Sequence, residues 1–355
     1  LLLDVGIAVF DPGVADYEEG EQIYPEVRKA EARFMPRLLA EAMQNSGGWG
    51  AVRVVPGDQQ ITDLLVQGRI NKSDGEELVL EILARDSRGV TWLDKEYSAH
   101  ASRYAYNNTT RSTYDPFQAI YHTIANDLLR KQQALKTADL EELRLVTELR
   151  FARSFAPDAF AGYLETDRKG QHQVKRLPAS NDPMLERVRS IRERDQLFVD
   201  TLQDHYNNFS GEMQDPYQEW RKLSYEEAIA LQELQAESRR RLWAGGAAIL
   251  AGIVAMGSSE RSSRAAGNVA VIGGGYLLKS GLEKRNEAQI HVEALEELGM
   301  SLEAEITPQV IELEDRTVML SGNVEEQYAQ WRELLADIYA AEVGDLDLPA
   351  TSSTP

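Results

Sequence analysis

The spacing of apolar residues changes several times along the chain, and each change predicts an element. Residues 2–10 form an apolar, β-branched run closed by Asp11-Pro12-Gly13, which predicts a buried strand. From Pro25 onward, Val27, Phe34, Leu38, Leu39 and Met43 return at helical spacing as far as Ser46-Gly47-Gly48, predicting a helix over 25–45. Period two then takes over. Strands are expected at 51–56, 62–72, 76–85 and 90–98, with turns at Ser73-Asp74-Gly75 and Ser87-Arg88-Gly89 making an antiparallel meander. At 115–134 the helical period resumes through Phe117, Ile120, Tyr121, Ile124 and Leu128. Strand, helix, strands, helix is the order of a two-layer α/β domain over 1–136, with its helices against one sheet face.

After residue 137 the β-branched runs stop and charge rises. Segments 139–156, 182–208 and 216–243 read as separate amphipathic helices, forming a stalk or bundle over 137–241, with 158–180 irregular between them. The aromatics Tyr206, Phe209, Tyr217, Trp220 and Tyr225 suit either an oligomer contact or packing inside that bundle. Farther on, 282–343 predicts a charged helix at 282–299 followed by a small α/β element. That element has strands at 303–313 and 316–320 and a helix at 324–341. A polar tail at 344–355 is expected to fray. The class expected for the whole is α+β.

Between the stalk and the C-terminal element lies the most unusual stretch. In 242–281 two apolar arms flank the charged tip Glu260-Arg261-Ser262-Ser263-Arg264, and nine of the chain's 25 glycines fall between 245 and 281. Each arm of about 14 to 16 residues would be roughly 21 to 24 Å long as helix, short of the roughly 20 residues that cross a bilayer. Small residues recur four apart at Ala244, Ala248 and Gly252 in one arm and at Ala266, Ala270 and Gly274 in the other, a spacing that lets helix backbones approach closely. Trp243 and Tyr276 are placed to anchor an interface. A helical hairpin is expected, either in contact with lipid or packed against protein.

Composition narrows the function. A formal charge of -20 argues against nucleic acid, whose phosphates require clustered cations. With no cysteine, thiolate metal sites, cysteine nucleophiles and disulfides are excluded within this sequence. The five histidines, His100, His122, His172, His205 and His291, show no ligand spacing. Asp204 and His205 are neighbours that do not share a helix face. Asp94, Glu96 and His100 are a weak metal possibility beside the simpler reading of a solvated strand. Gly273-Gly274-Gly275 lacks the Gly-Lys-Ser/Thr ending of a phosphate loop. No cofactor or catalytic residue is expected.

The run Gly6-Ile7-Ala8-Val9-Phe10, the helix carrying Arg33-Phe34-Met35-Pro36-Arg37-Leu38-Leu39, and the meander beginning Asp63-Leu64-Leu65-Val66-Gln67-Gly68-Arg69-Ile70 together resemble the envelope lipoprotein domain of the curli secretion channel and of exopolysaccharide ring lipoproteins. The N-terminal domain of the Tol-system propeller protein is similar. The resemblance covers a little over a third of the chain. It implies a non-catalytic part of an oligomeric cell-envelope assembly, such as an outer-membrane ring or channel. Its expected partners are further copies of itself, other envelope proteins and membrane lipid. Its implied place is the periplasmic face of the outer membrane, held by a lipid on a cysteine upstream of Leu1. The stretch Val310-Ile311-Glu312-Leu313 with Thr317 to Val324 is similar to small periplasmic domains that bind membranes and partners. The alternative is a soluble periplasmic adaptor whose glycine-rich hairpin makes protein contacts.

Overall fold

The computed structural model describes residues 1–14, 24–58, 60–102, 104–106, 115–179, 181–255, 292–297, 309–312 and 317–343. The fold is α+β. Strands β1 (Val5–Ala8), β2 (Val52–Val55), β3 (Leu64–Ser73), β4 (Glu77–Asp86) and β5 (Thr91–His100) form one sheet in the order β2-β1-β3-β4-β5. β1 runs parallel to β2 and β3, while β3, β4 and β5 form the antiparallel meander. Helix α1 (Pro25–Asn45) supplies the crossover that a parallel β1–β2 pair requires. It packs with α2 (Gln118–Gln133) over one sheet face, where Met35, Leu39, Ile120, Ile124 and Leu128 meet Ile7, Val66, Leu80 and Ile82.

A second core lies beyond the sheet. Helix α3 (Thr137–Phe155), the single turn α4 (Pro157–Phe160) and the hairpin β6 (Leu164–Thr166)–β7 (His172–Val174) lead into the long helix α5 (Pro183–Ala255). The C-terminal hairpin β8 (Gln309–Glu312)–β9 (Thr317–Leu320) and helix α6 (Val324–Val343) complete the described chain. Leu149 and Phe151 of α3, Ile191 and Phe198 of α5, and Trp331 and Leu335 of α6 share this core. Trp331 stacks on Phe198 with ring centroids 4.8 Å apart.

Two expectations change. The helical pattern places a break between 208 and 216, yet α5 is continuous for 73 residues and passes through Pro216. An interior proline costs a helix about 3 kcal/mol. Phe209, Met213, Tyr217 and Trp220, on either side of it, are all buried on one stripe against α1, and that packing outweighs the cost. The sheet domain is also more than two layers at one end. α5 crosses the face opposite α1 near β1 and β2, where Val199 packs on Ala8 and Val55. It also closes the sheet edge: the Gln203 amide donates to Val54 O at 2.8 Å and accepts from Val54 N at 2.9 Å, standing in for a neighbouring strand.

Candidate functional site

The longest helix is fixed to the sheet domain by a buried stripe and a buried set of charges. On the apolar part, Tyr217 meets Phe34 edge-on at 5.2 Å, Trp220 stacks on Tyr217 at 5.8 Å, and Tyr24 closes over Trp220 at 6.5 Å. The aromatics expected to line either a bundle or an oligomer contact therefore pack mostly against α1, with Tyr225 half-buried beside the sheet core. Tyr206 is the exception and belongs to the second core.

The polar part sits one turn farther on. Arg221 is fully buried, and its Nη1 donates to Asp115 Oδ2 at 2.7 Å. Its guanidinium lies 4.0 Å from the Tyr217 ring centroid and 5.0 Å from that of Phe117. Burial alone would lower the Arg221 pKa, but Asp115 and the surrounding tyrosines hold it well above the ordinary value. Alongside, Glu31 of α1 is fully buried and accepts from Tyr217 OH and Ser73 Oγ, both at 2.5 Å. Burial pushes the phenols of Tyr121 and Tyr217 above their usual range, so both stay neutral at physiological pH, and Tyr217 is the one that donates to Glu31.

Gly75 brings the β3–β4 turn against this part of α5. Its φ of +79° is one that only glycine adopts freely. A Cβ there would lie 2.3 Å from Arg221 O and 3.0 Å from Tyr225 N. Tyr106 OH donates to the carbonyl oxygen of Gly75 and covers the turn from the other side.

Past Tyr225 the helix continues to Ala255, roughly 45 Å at about 1.5 Å per residue. Trp243, Ala244, Ala248 and Gly252, singled out by their spacing, lie on this continuation, whereas Ala266, Ala270, Gly274 and Tyr276 lie outside the described residues. The chain is back by 292–297, a helical segment whose Leu295 is fully buried in the same cluster as Trp220, Phe34 and Val27. Departure and return thus share one anchoring point on the sheet domain. Among the described residues no helix is long and apolar enough to cross a membrane.

A cavity of about 360 Å³ opens where the loop after β2 meets α3 and α6, lined by Pro56, Gly57, Gln60, Ile61, Phe151, Glu325, Tyr328, Ala329 and Arg332. Below it Asp195 of α5 accepts from Tyr328 OH at 3.2 Å and lies 3.6 Å from Arg332 Nη1. Burial raises the Asp195 pKa, outweighing the opposing pull of Arg332 and Tyr328. Arg332 is held by the faces of Phe155 and Phe151, at 4.5 and 5.2 Å. These groups serve one another and join α6 to α5. They do not set a nucleophile beside a base.

The weak metal possibility is not assembled. Asp94 and Glu96 point outward from β5, with Glu96 accepting from Asn71, while His100 lies 3.5 Å from Glu77. Among the described residues no group of three or more His, Asp or Glu side chains is placed to hold a metal ion. Gly273-Gly274-Gly275 lies outside the described residues. No known family matches the sequence, and no curated protein does.

The Arg221–Asp115 pair was absent from the sequence expectations. One signal pointed to it: Arg221 is four residues after Tyr217, on the same stripe as Phe209 and Met213, a position where a charge must find a buried partner. Asp115 lies 106 positions away and could not be chosen from spacing.

Proposed function

We infer that the protein is a non-catalytic structural component of an oligomeric cell-envelope assembly, in which α5 carries the apolar hairpin of 242–281 away from the sheet domain to lipid or to other subunits. One observation carries this reading. α5 is locked to the sheet domain by Arg221, Tyr217 and Trp220, runs on to Ala255, and the chain re-enters the same cluster at Leu295. Departure and return rooted in one cluster are a mechanical arrangement, suited to carrying the small-residue arms of 242–281 on a single support.

The sheet and helices that carry the resemblance to envelope lipoprotein domains form at the positions where the pattern places them, which supports the same compartment. A periplasmic place and a lipid anchor upstream of Leu1 belong to this proposal. The adaptor alternative draws on the arm lengths, which are short for a bilayer and long enough to pack against a protein partner.

The test is co-flotation with liposomes of anionic bacterial lipid, combined with native mass spectrometry of the full chain and of a chain lacking 242–281. Lipid association, with a discrete oligomer, that disappears with the deletion is the expected result. A stable lipid-free monomer, unchanged by the deletion, refutes the proposal. Oligomers that form without lipid binding, and only when 242–281 is present, select the adaptor.

A further inference from the structure

The described structure has three sheets, and it treats their margins differently. At β2 the Gln203 side chain occupies both backbone groups of Val54, and Arg53 pairs with Asp200 beside it. At β5 three successive charges, Asp94, Lys95 and Glu96, stand on the margin, with Lys95 held by Asp127 at 3.2 Å. Closure and charge are the two common means of keeping an edge strand from pairing with another chain.

Among the described residues the β8–β9 hairpin has neither. It has only two strands, in unbroken register, and Thr317–Leu320 contains no charge, proline or glycine. Val310 and Met319 are direct cross-strand partners on the outward face, and they are 59 % and 63 % exposed. Ile311, Val318 and Leu320 face inward to the second core. At the end of β9 the Gln330 amide takes Ser321 N and O, at 3.1 and 2.7 Å, so a pairing edge is confined to the four residues before it.

We propose that β9 is a strand acceptor for a second copy of this chain, two hairpins joining edge to edge about a two-fold axis. Two features select a second copy. Across most of its surface a chain of net charge -20 repels its own kind, but β9 is uncharged and Glu312 is the sole charged residue of the two strands. The sequence of β9 is also self-complementary in antiparallel pairing. Setting Met319 opposite Met319 of a second copy keeps every side chain on its own face and places Val318 opposite Leu320. The outward row then reads Val310, Met319, Met319, Val310 across four strands, covering apolar surface that each hairpin alone exposes. This inference rests on the oligomeric reading and names one contact of the assembly.

The absence of cysteine gives a register-specific test. In the full chain, Met319→Cys should form an interchain disulfide under mild oxidation at least tenfold faster than Leu197→Cys, an equally exposed control on α5 that is 62 % exposed in the parent. Met319→Lys should weaken self-association at least tenfold in sedimentation velocity while leaving the circular dichroism and melting temperature unchanged. Cross-linking no faster than the control, or unchanged association of Met319→Lys, overturns the inference. Association lost on deleting 242–281 but insensitive to Met319→Lys overturns it while sparing the scaffold reading. A monomer under every condition, with and without lipid, refutes both.

Discussion

Replacing Asp115 by alanine should loosen the root of α5 more than any surface change of similar size. Arg221 has no solvent-exposed surface, and its Nη1 bond to Asp115 is 2.7 Å long; Nε and Nη2 have no hydrogen-bond partner among the described residues. Removing the carboxylate leaves a buried cation without its ion-pair partner, a change that costs about 3–5 kcal/mol. The same carboxylate accepts from Phe117 N at 2.9 Å at the start of α2, which adds about 1 kcal/mol. A loss of roughly 4–6 kcal/mol is a large part of the roughly 5–15 kcal/mol that stabilises a typical domain. Urea unfolding followed by Trp fluorescence measures it, and hydrogen exchange across 206–225 shows whether α5 detaches first. The double variant Asp115→Leu with Arg221→Met removes both charges together and should be markedly more stable than Asp115→Ala. If Asp115→Ala costs less than about 1 kcal/mol, or if the double variant is the less stable of the two, the buried pair is not what holds the helix.

Gly75→Ala should strain the same joint, because its Cβ would press on backbone atoms of Arg221 and Tyr225 and because φ is +79°. A loss of about 2–4 kcal/mol is expected from left-handed backbone and overpacking together, and a thermal melt within a degree of the parent would refute the contact. Asp195 should behave opposite to an ordinary salt-bridged carboxylate. Its folded pKa is raised above the model-peptide value of 3.8, so its contribution to stability is fully present below that value and is lost as pH rises through the folded pKa. The stability difference between the parent and Asp195→Asn should therefore fall as pH rises from about 3.5 to 6; a difference that grows over that range contradicts the burial argument.

Much of the fold was legible because each element's reason is local. The helix at Pro25–Asn45 coincides with its expected span, and β3, β4 and β5 fall within about two residues of theirs, since glycine turns at 75 and 89 and strict alternation leave one arrangement. The break expected around Pro216 was a local inference overruled from a distance. What keeps α5 continuous there is α1, some 180 positions earlier in the chain.

By itself the sequence determined the α+β class, the meander, the acidic surface, the absence of thiol chemistry and the concentration of small residues in 242–281. Those properties follow from periodicity and composition, which act over a few residues or over the chain as a whole. Tertiary structure alone decided that Arg221 finds Asp115, that Gln203 closes the edge at Val54, that Leu295 returns to Trp220, and that no described side chain closes the β9 edge over Thr317–Leu320. Each depends on which distant segments become neighbours, and in these cases a single side chain, too little to leave a repeating pattern, determines the outcome.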